Sequence, residues 1–98
     1  AGAFDLPIAL GLVTSMGQIR ADDLGGYAIV GELALDGTVR PVAGALSMAM
    51  EARSRGLTKL IVPIGNAREA SVVSEVEVFG VGSLAEAVGV VTGLAPLD

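Results

Sequence analysis

Leu6 to Val13 reads Leu-Pro-Ile-Ala-Leu-Gly-Leu-Val, a run in which no side chain seeks water, and whatever this chain folds into has to cover it. Asp5 ahead of the run, with Pro7 in the first turn, reads as an N-cap, and Gly17 as the stop of a helix that reaches about Met16. A helix without a polar face is normally buried between other elements, so helix one is expected inside the molecule. The run is far short of the roughly 20 residues needed to cross a bilayer. No basic segment precedes it, so it is not expected to be a signal peptide.

The rest of the chain supplies the cover. Gln18 to Gly26 reads as a loop. Tyr27 to Leu35 is β-rich, and Asp36-Gly37 followed by Thr38, Val39 and Arg40 predicts a β-hairpin, with Pro41 placing the returning strand at an edge or ending it. From about Ala43 to Arg55, Ser47, Glu51, Ser54 and Arg55 form a polar stripe. Ala45, Met48, Ala49 and Ala52 form an apolar one, an amphipathic helix closed by Gly56. Lys59 to Pro63 has the pattern of a strand covered on both faces. Asn66 with Glu69 predicts a capping box opening a short helix to about Ser74. A strand over Val76 to Val81 completes a compact βαβ unit, and Ser83 with Glu86 caps a final helix to about Thr92. Gly93 to Asp98 reads as a loose tail. The fold class expected is α+β in two layers, with a hairpin and a βαβ unit.

Composition narrows the function. A chain of 98 residues is one domain at most and buries only roughly 60–65% of its unfolded surface. Yet 52% of it is hydrophobic and only 17% charged, so part of its surface is expected to meet a partner. With no Cys and no His, structural zinc, disulfides, thiol nucleophiles and histidine bases are excluded. A net charge of -5 argues against many phosphate contacts, and Phe4, Tyr27 and Phe79 are too few for a base-stacking platform. No stretch matches G-x-x-x-x-G-K-[ST], so no nucleotide is expected on a P-loop here. Gly80-Val81-Gly82-Ser83 opens a helix and is explained by capping. Among the carboxylates, Asp22 with Asp23, and Glu75 with Glu77 on one strand face, read as solvated surface. Glu32, in an apolar strand beside Gly31, needs a backbone or arginine partner. A Ser/Lys dyad would have to use Lys59, the single lysine, with no serine near it in sequence.

Two segments resemble a known family. Gly31-Glu32-Leu33-Ala34-Leu35-Asp36-Gly37-Thr38-Val39-Arg40-Pro41-Val42-Ala43-Gly44 resembles the Gly-Glu signature of the Lon protease proteolytic domain, and Lys59-Leu60-Ile61-Val62-Pro63 with Asn66 resembles the strand and helix start downstream. Ala3-Phe4-Asp5-Leu6-Pro7-Ile8-Ala9-Leu10-Gly11 is the more specific match. It is similar to the Lon-like domain of the magnesium-chelatase-like AAA+ ATPases, the ComM and YifB group, with a more distant version in the Sms/RadA recombination proteins. The resemblance implies a Lon proteolytic-domain-like fold of the ribosomal protein S5 domain 2-like kind over residues 1–93, lacking the strands that family members carry before the first helix, with 94–98 as tail. It also implies that the chain is a fragment of a larger ATP-driven DNA-processing protein, whose ATP and magnesium belong to an AAA+ module outside it.

Lon-type proteases place a serine at the start of the first helix and a lysine shortly after the Gly-Glu signature. Residue by residue, the serine position falls on Ala3 or Phe4 and the lysine position on Leu46. None of these side chains offers a nucleophile or exchanges a proton, so the resemblance implies the fold without the peptidase, and the cap of helix one and the apolar face around Leu46 read as packing where an active site once lay. The expected role is noncatalytic assembly, in the cytoplasm, with no cofactor in this chain. The partners expected are a second copy or the AAA+ module of the same protein, with DNA reached through the parent and no membrane. Arg40, Arg53, Arg55, Lys59 and Arg68 are the candidates for one local basic patch. The alternatives are a Lon-type serine peptidase, which the missing dyad opposes, and a magnesium chelatase accessory domain, which lacks the clustered oxygen ligands that magnesium prefers.

Overall fold

The computed structural model describes residues 2–17 and 24–93; the Asp22–Asp23 pair, most of the Gln18–Gly26 loop and the 94–98 tail lie outside them. The elements in chain order are α1 (Asp5–Ser15), β1 (Tyr27–Ile29), β2 (Glu32–Leu33), β3 (Val39–Arg40), α2 (Ala45–Ser54), β4 (Lys59–Pro63), α3 (Ala67–Ala70), β5 (Glu77–Val81) and α4 (Leu84–Thr92). A short 3-10 turn, Ile64–Asn66, leads into α3.

Strands β1, β4 and β5 form a parallel sheet in the order β1-β4-β5, and β2 pairs antiparallel with β3 as a separate hairpin. Register explains why Lys59 to Pro63 reads as apolar throughout. Side chains alternate along a strand, so Ile61 joins Leu6, Leu10, Val81, Ala87 and Val91 on the face carrying α1 and α4. Leu60 and Val62 join Val30, Ala49, Ala70 and Val73 on the face carrying α2 and α3. Helices thus cover both faces, giving three layers where the pattern suggested two, while the mixed α+β class and the βαβ unit stand as expected. Full burial of Leu6, Leu10, Leu60, Ile61 and Val62 contributes about 1.5–3 kcal/mol for each side chain.

The β-rich stretch from Tyr27 to Leu35 is two strands, not one. β1 lies beside β4, Ala28 opposite Leu60, and the Val30 N–H still reaches the Ile61 carbonyl at 3.0 Å. At Gly31 the chain leaves the sheet and enters the hairpin, with Glu32 opposite Arg40 and Leu33 opposite Val39. Gly31 gives its N–H to the Ala3 carbonyl at 2.8 Å and accepts the Leu6 N–H at 3.0 Å. A side chain would be crowded there: a Cβ would sit 3.0 Å from Val39 Cγ1 and 3.1 Å from Leu6 Cδ2, so those side chains would have to give way. The turn is closed by Asp36, whose Oδ1 accepts from the Thr38 N–H at 3.0 Å and its hydroxyl at 2.7 Å. Gly37 takes φ +88°, open to glycine at little cost. β3 ends at Arg40, before Pro41, and its other side is occupied, the Val39 N–H donating to the Gly82 carbonyl at 2.9 Å.

Three local readings are corrected. Asp5 does not cap its own helix: Oδ2 accepts from the Gly2 N–H at 2.9 Å and from the Leu33 N–H, far along the chain, at 3.1 Å. Asn66 makes no cap bond either, because its side chain is spent on Val42. Its Oδ1 accepts the Val42 N–H and its Nδ2 donates to the Val42 carbonyl, both at 2.9 Å, and Nδ2 also reaches Glu69 Oε1 at 3.1 Å. Glu75 stands in the turn before β5 with φ 70°, so it does not share a strand face with Glu77. The Ser83 cap is as expected, accepting the Glu86 N–H at 3.1 Å, while Glu86 returns to the Gly82 N–H.

Helix α1 is buried on one side only. Leu6 and Leu10 are fully covered, but Ile8 is 63% and Leu12 61% exposed. The sheet and α4 cover a single face, and no described residue covers the other. No helix among the described residues is long and apolar enough to cross a membrane.

Two outcomes are expected. Gly31→Ala forces Val39 and Leu6 apart and lowers stability by about 1–3 kcal/mol in urea titrations; an unchanged midpoint would refute the crowding. The Gly2 and Leu33 N–H groups hold the Asp5 carboxyl below its ordinary 3.8. A carboxyl with a lowered folded value stabilises above the unfolded value and loses that contribution as pH falls through the folded one. Asp5→Asn therefore lowers Tm at neutral pH, and its deficit against the parent chain shrinks as pH drops below 3.8, measured by calorimetry across pH.

Candidate functional site

The start of α1, the hairpin and the approach to α2 meet at a cleft of about 350 Å³ lined by Ala3, Glu32, Pro41, Val42 and Ala43. Each wall has a local cause. The Ala3 carbonyl is fixed by the Gly31 N–H, Glu32 by its place opposite Arg40, and Val42 by the two bonds from Asn66. Asn66 is 5% exposed and fully partnered, so the segment from Pro41 to Ala43 is pinned from behind by a buried polar side chain.

Ala3, one of the two residues to which the Lon resemblance would assign the serine, lines the cleft. Phe4, the other, is 69% exposed, and Leu46, to which it would assign the lysine, is 38% exposed on the first turn of α2 beside the buried Ala45. Glu32 is the one ionisable side chain of the lining. General acid–base or nucleophilic chemistry needs a second group within hydrogen-bond reach, and the lining supplies backbone and apolar carbon instead.

On the outer side of the hairpin a wider opening of about 600 Å³ brings Glu32, Asp36 and Arg40 together with Leu33, Ala34 and Leu35. Asp36 is already committed to Thr38, whose hydroxyl and N–H hold its carboxyl below the ordinary value. Among the described residues no group of three or more Asp, Glu, His or Cys is placed to hold a metal ion.

The five cations separate by the topology of the sheet. Arg53 and Arg55 end α2 and Lys59 begins β4, at the amino ends of the parallel strands. Arg40 ends β3 and Arg68 lies in α3, near their carboxyl ends. Several are engaged: Arg55 Nε meets Glu51 at 2.6 Å, Arg53 reaches Ser74 Oγ at 3.3 Å, and Lys59 Nζ stands 5.3 Å from the centre of the Tyr27 ring. Sequence reasoning missed the two side chains that shape the cleft, Asp5 and Asn66. Each sits where a helix cap is the local reading, and only an isolated amide in the apolar stretch Ile64-Gly65-Asn66-Ala67 hinted at a buried role.

Residues 1–66 match the family model described as subunit ChlI of Mg-chelatase. The protein YifB of Salmonella typhimurium is 45% identical over 74 residues, covering 76% of this chain and 14% of YifB. The competence protein ComM of Haemophilus influenzae is 37% identical over 92 residues, 94% of this chain and 18% of ComM. The DNA repair protein RadA of the same organism is 35% identical over 91 residues, 92% of this chain and 19% of RadA. The chain therefore spans less than a fifth of the length of these relatives. The 1–66 match takes in every residue of the cleft and its Asn66 pin, and with the relatives it establishes that the chain belongs to the magnesium-chelatase subunit ChlI family, in the ComM and YifB group.

Proposed function

We propose that this chain is a noncatalytic Lon-like domain, of the ribosomal protein S5 domain 2-like fold, within a larger AAA+ ATPase, and that it serves subunit assembly. What supports the reading is the Gly-Glu hairpin with the cleft beside it, whose lining offers Glu32 as its one ionisable side chain, while by the resemblance Ala3 or Phe4 and Leu46 would stand at the positions of the Lon serine and lysine. Such a site conserves a shape without a reacting group. In this proposal ATP and magnesium are held by a module outside this chain, since its sequence carries no P-loop, and the parent works in the cytoplasm. The names of two relatives, the competence protein ComM and the DNA repair protein RadA, support DNA as the substrate of the parent. The net charge of -5 supports an assembly surface over a phosphate grip in this piece.

The test has two arms. The purified chain, given fluorogenic casein and short peptides, is expected to hydrolyse them no faster than buffer, and a fluorophosphonate probe to label no serine; inhibitor-sensitive cleavage would overturn the noncatalytic reading. The longer protein is expected to hydrolyse ATP several-fold faster with DNA than without. Turnover indifferent to DNA would remove DNA as the substrate of the motor.

A further inference from the structure

The hairpin wall of the cleft hangs on the start of α4. The Val39 N–H donates to the Gly82 carbonyl and the Leu84 N–H to the Gly37 carbonyl, both at 2.9 Å, and Thr38 bridges Ser83 between them. Three successive residues, Gly82 to Leu84, thus carry the returning strand and its turn. The capping box of α4 fixes those three in place. Ser83 Oγ accepts the Glu86 N–H at 3.1 Å, and Glu86 Oε1 accepts the Gly82 N–H at 2.6 Å. Beneath them Val39 shares one apolar cluster with Val81, Ala87 and Val91. Glu86 is exposed and Ser83 half-buried, so the box is open to solvent while the contacts that it positions are not.

The opposite wall is held from elsewhere. The N–H and carbonyl of Val42 are both bonded to the Asn66 amide, and Pro41 packs on Gly65, where a Cβ would come 3.0 Å from Pro41 Cγ. Gly65 and Asn66 belong to the 3-10 turn that leads into α3, on the other side of the sheet from α4. The two walls therefore answer to different layers. The chain passes from one to the other between Arg40 and Pro41, and Pro41 has no N–H with which to tie the junction. At its far end the hairpin is tied to α1 by the single bond from Leu33 to Asp5 and by the backbone of Gly31.

We propose that the Ser83–Glu86 box is a latch for the cleft. Closed, it sets the hairpin against the wall braced by Asn66; open, it frees β3 and the turn to swing about the Asp5 tie, and the cleft changes width. A displacement of the first turn of α4 is thereby felt at Glu32, whereas Val42 stays in place. The device goes beyond the assembly reading and holds whatever the cleft accepts.

Amide hydrogen exchange on the purified chain tests it, with Ala34 and Val39 reporting the hairpin, Val42 the braced wall, Val30 the sheet and Ala87 the helix, each N–H having a hydrogen-bond acceptor within the chain. Ser83→Ala with Glu86→Ala is expected to speed exchange at Ala34 and Val39 roughly tenfold or more, and to leave Val42 and Val30 close to the parent. Ser83→Asp, which keeps an accepting oxygen at the cap, is expected to behave like the parent. If the double variant loses its native circular dichroism, Ser83→Ala alone is read in the same way. Faster exchange confined to Ala87, no change at Val39, or one common factor at all five amides would overturn the proposal, the last because the box would then stabilise the whole fold and not the hairpin. Neither peptidase nor ATPase activity enters this readout, so its failure is distinct from failure of the noncatalytic reading.

Discussion

The Asp5 carboxylate, bonded at once to the Gly2 N–H and to the Leu33 N–H, joins the first helix to the hairpin, and the rest of the arrangement follows from that joint. Gly31 helps the two segments close to the distance of a backbone hydrogen bond, both of its own polar groups being taken by Ala3 and Leu6. The joint lies where the chain passes from the parallel sheet into the hairpin. It therefore sets the angle at which α1 lies on the sheet and seats Leu6 and Leu10 in the core. The same backbone placement brings Ala3 beside Glu32.

The cleft depends on a second polar device. Asn66 treats Val42 as a strand partner would, meeting its N–H and its carbonyl with one amide. A buried amide that is fully bonded specifies one arrangement, whereas an unbonded one would be costly. Asn66 thus holds the far wall of the cleft through the sheet end, independently of α1.

Much of this was legible in the chain itself. The apolar run of β4, the Asp-Gly turn, the stripe of Ala45, Ala49 and Ala52, and the Ser83 cap are local patterns with local causes, and each produced its element. What was not legible depended on distant partners. Asp5 and Asn66 look like caps until Leu33 and Val42 are brought to them. The break at Gly31 is set by Leu6 and Val39, not by any glycine conformation. The parallel pairing of β1 with β4 needs the hairpin and α2 to fold between them. Helix one reads as apolar all round, and that pattern fixes its outward face only when the neighbours are known. The Gly-Glu signature was readable in the chain; the exposure of Phe4 and Leu46 was not.

The sheet's order also divides the molecule in the sequence of its assembly. β4 and β5 are joined by about a dozen residues, so closing them sacrifices little chain freedom, and they share the Leu60, Val62, Ala70 and Val73 side of the core. β1 reaches β4 only across the hairpin and α2, and α1 reaches the hairpin only across β1. The carboxyl-terminal half therefore closes its contacts over short stretches of chain, while the amino-terminal helix, held by the Asp5 carboxylate, two backbone hydrogen bonds through Gly31 and one buried face, closes its own over longer ones. The helix that leaves Ile8 and Leu12 exposed is thus also the element joined to the sheet across the longer separation in sequence.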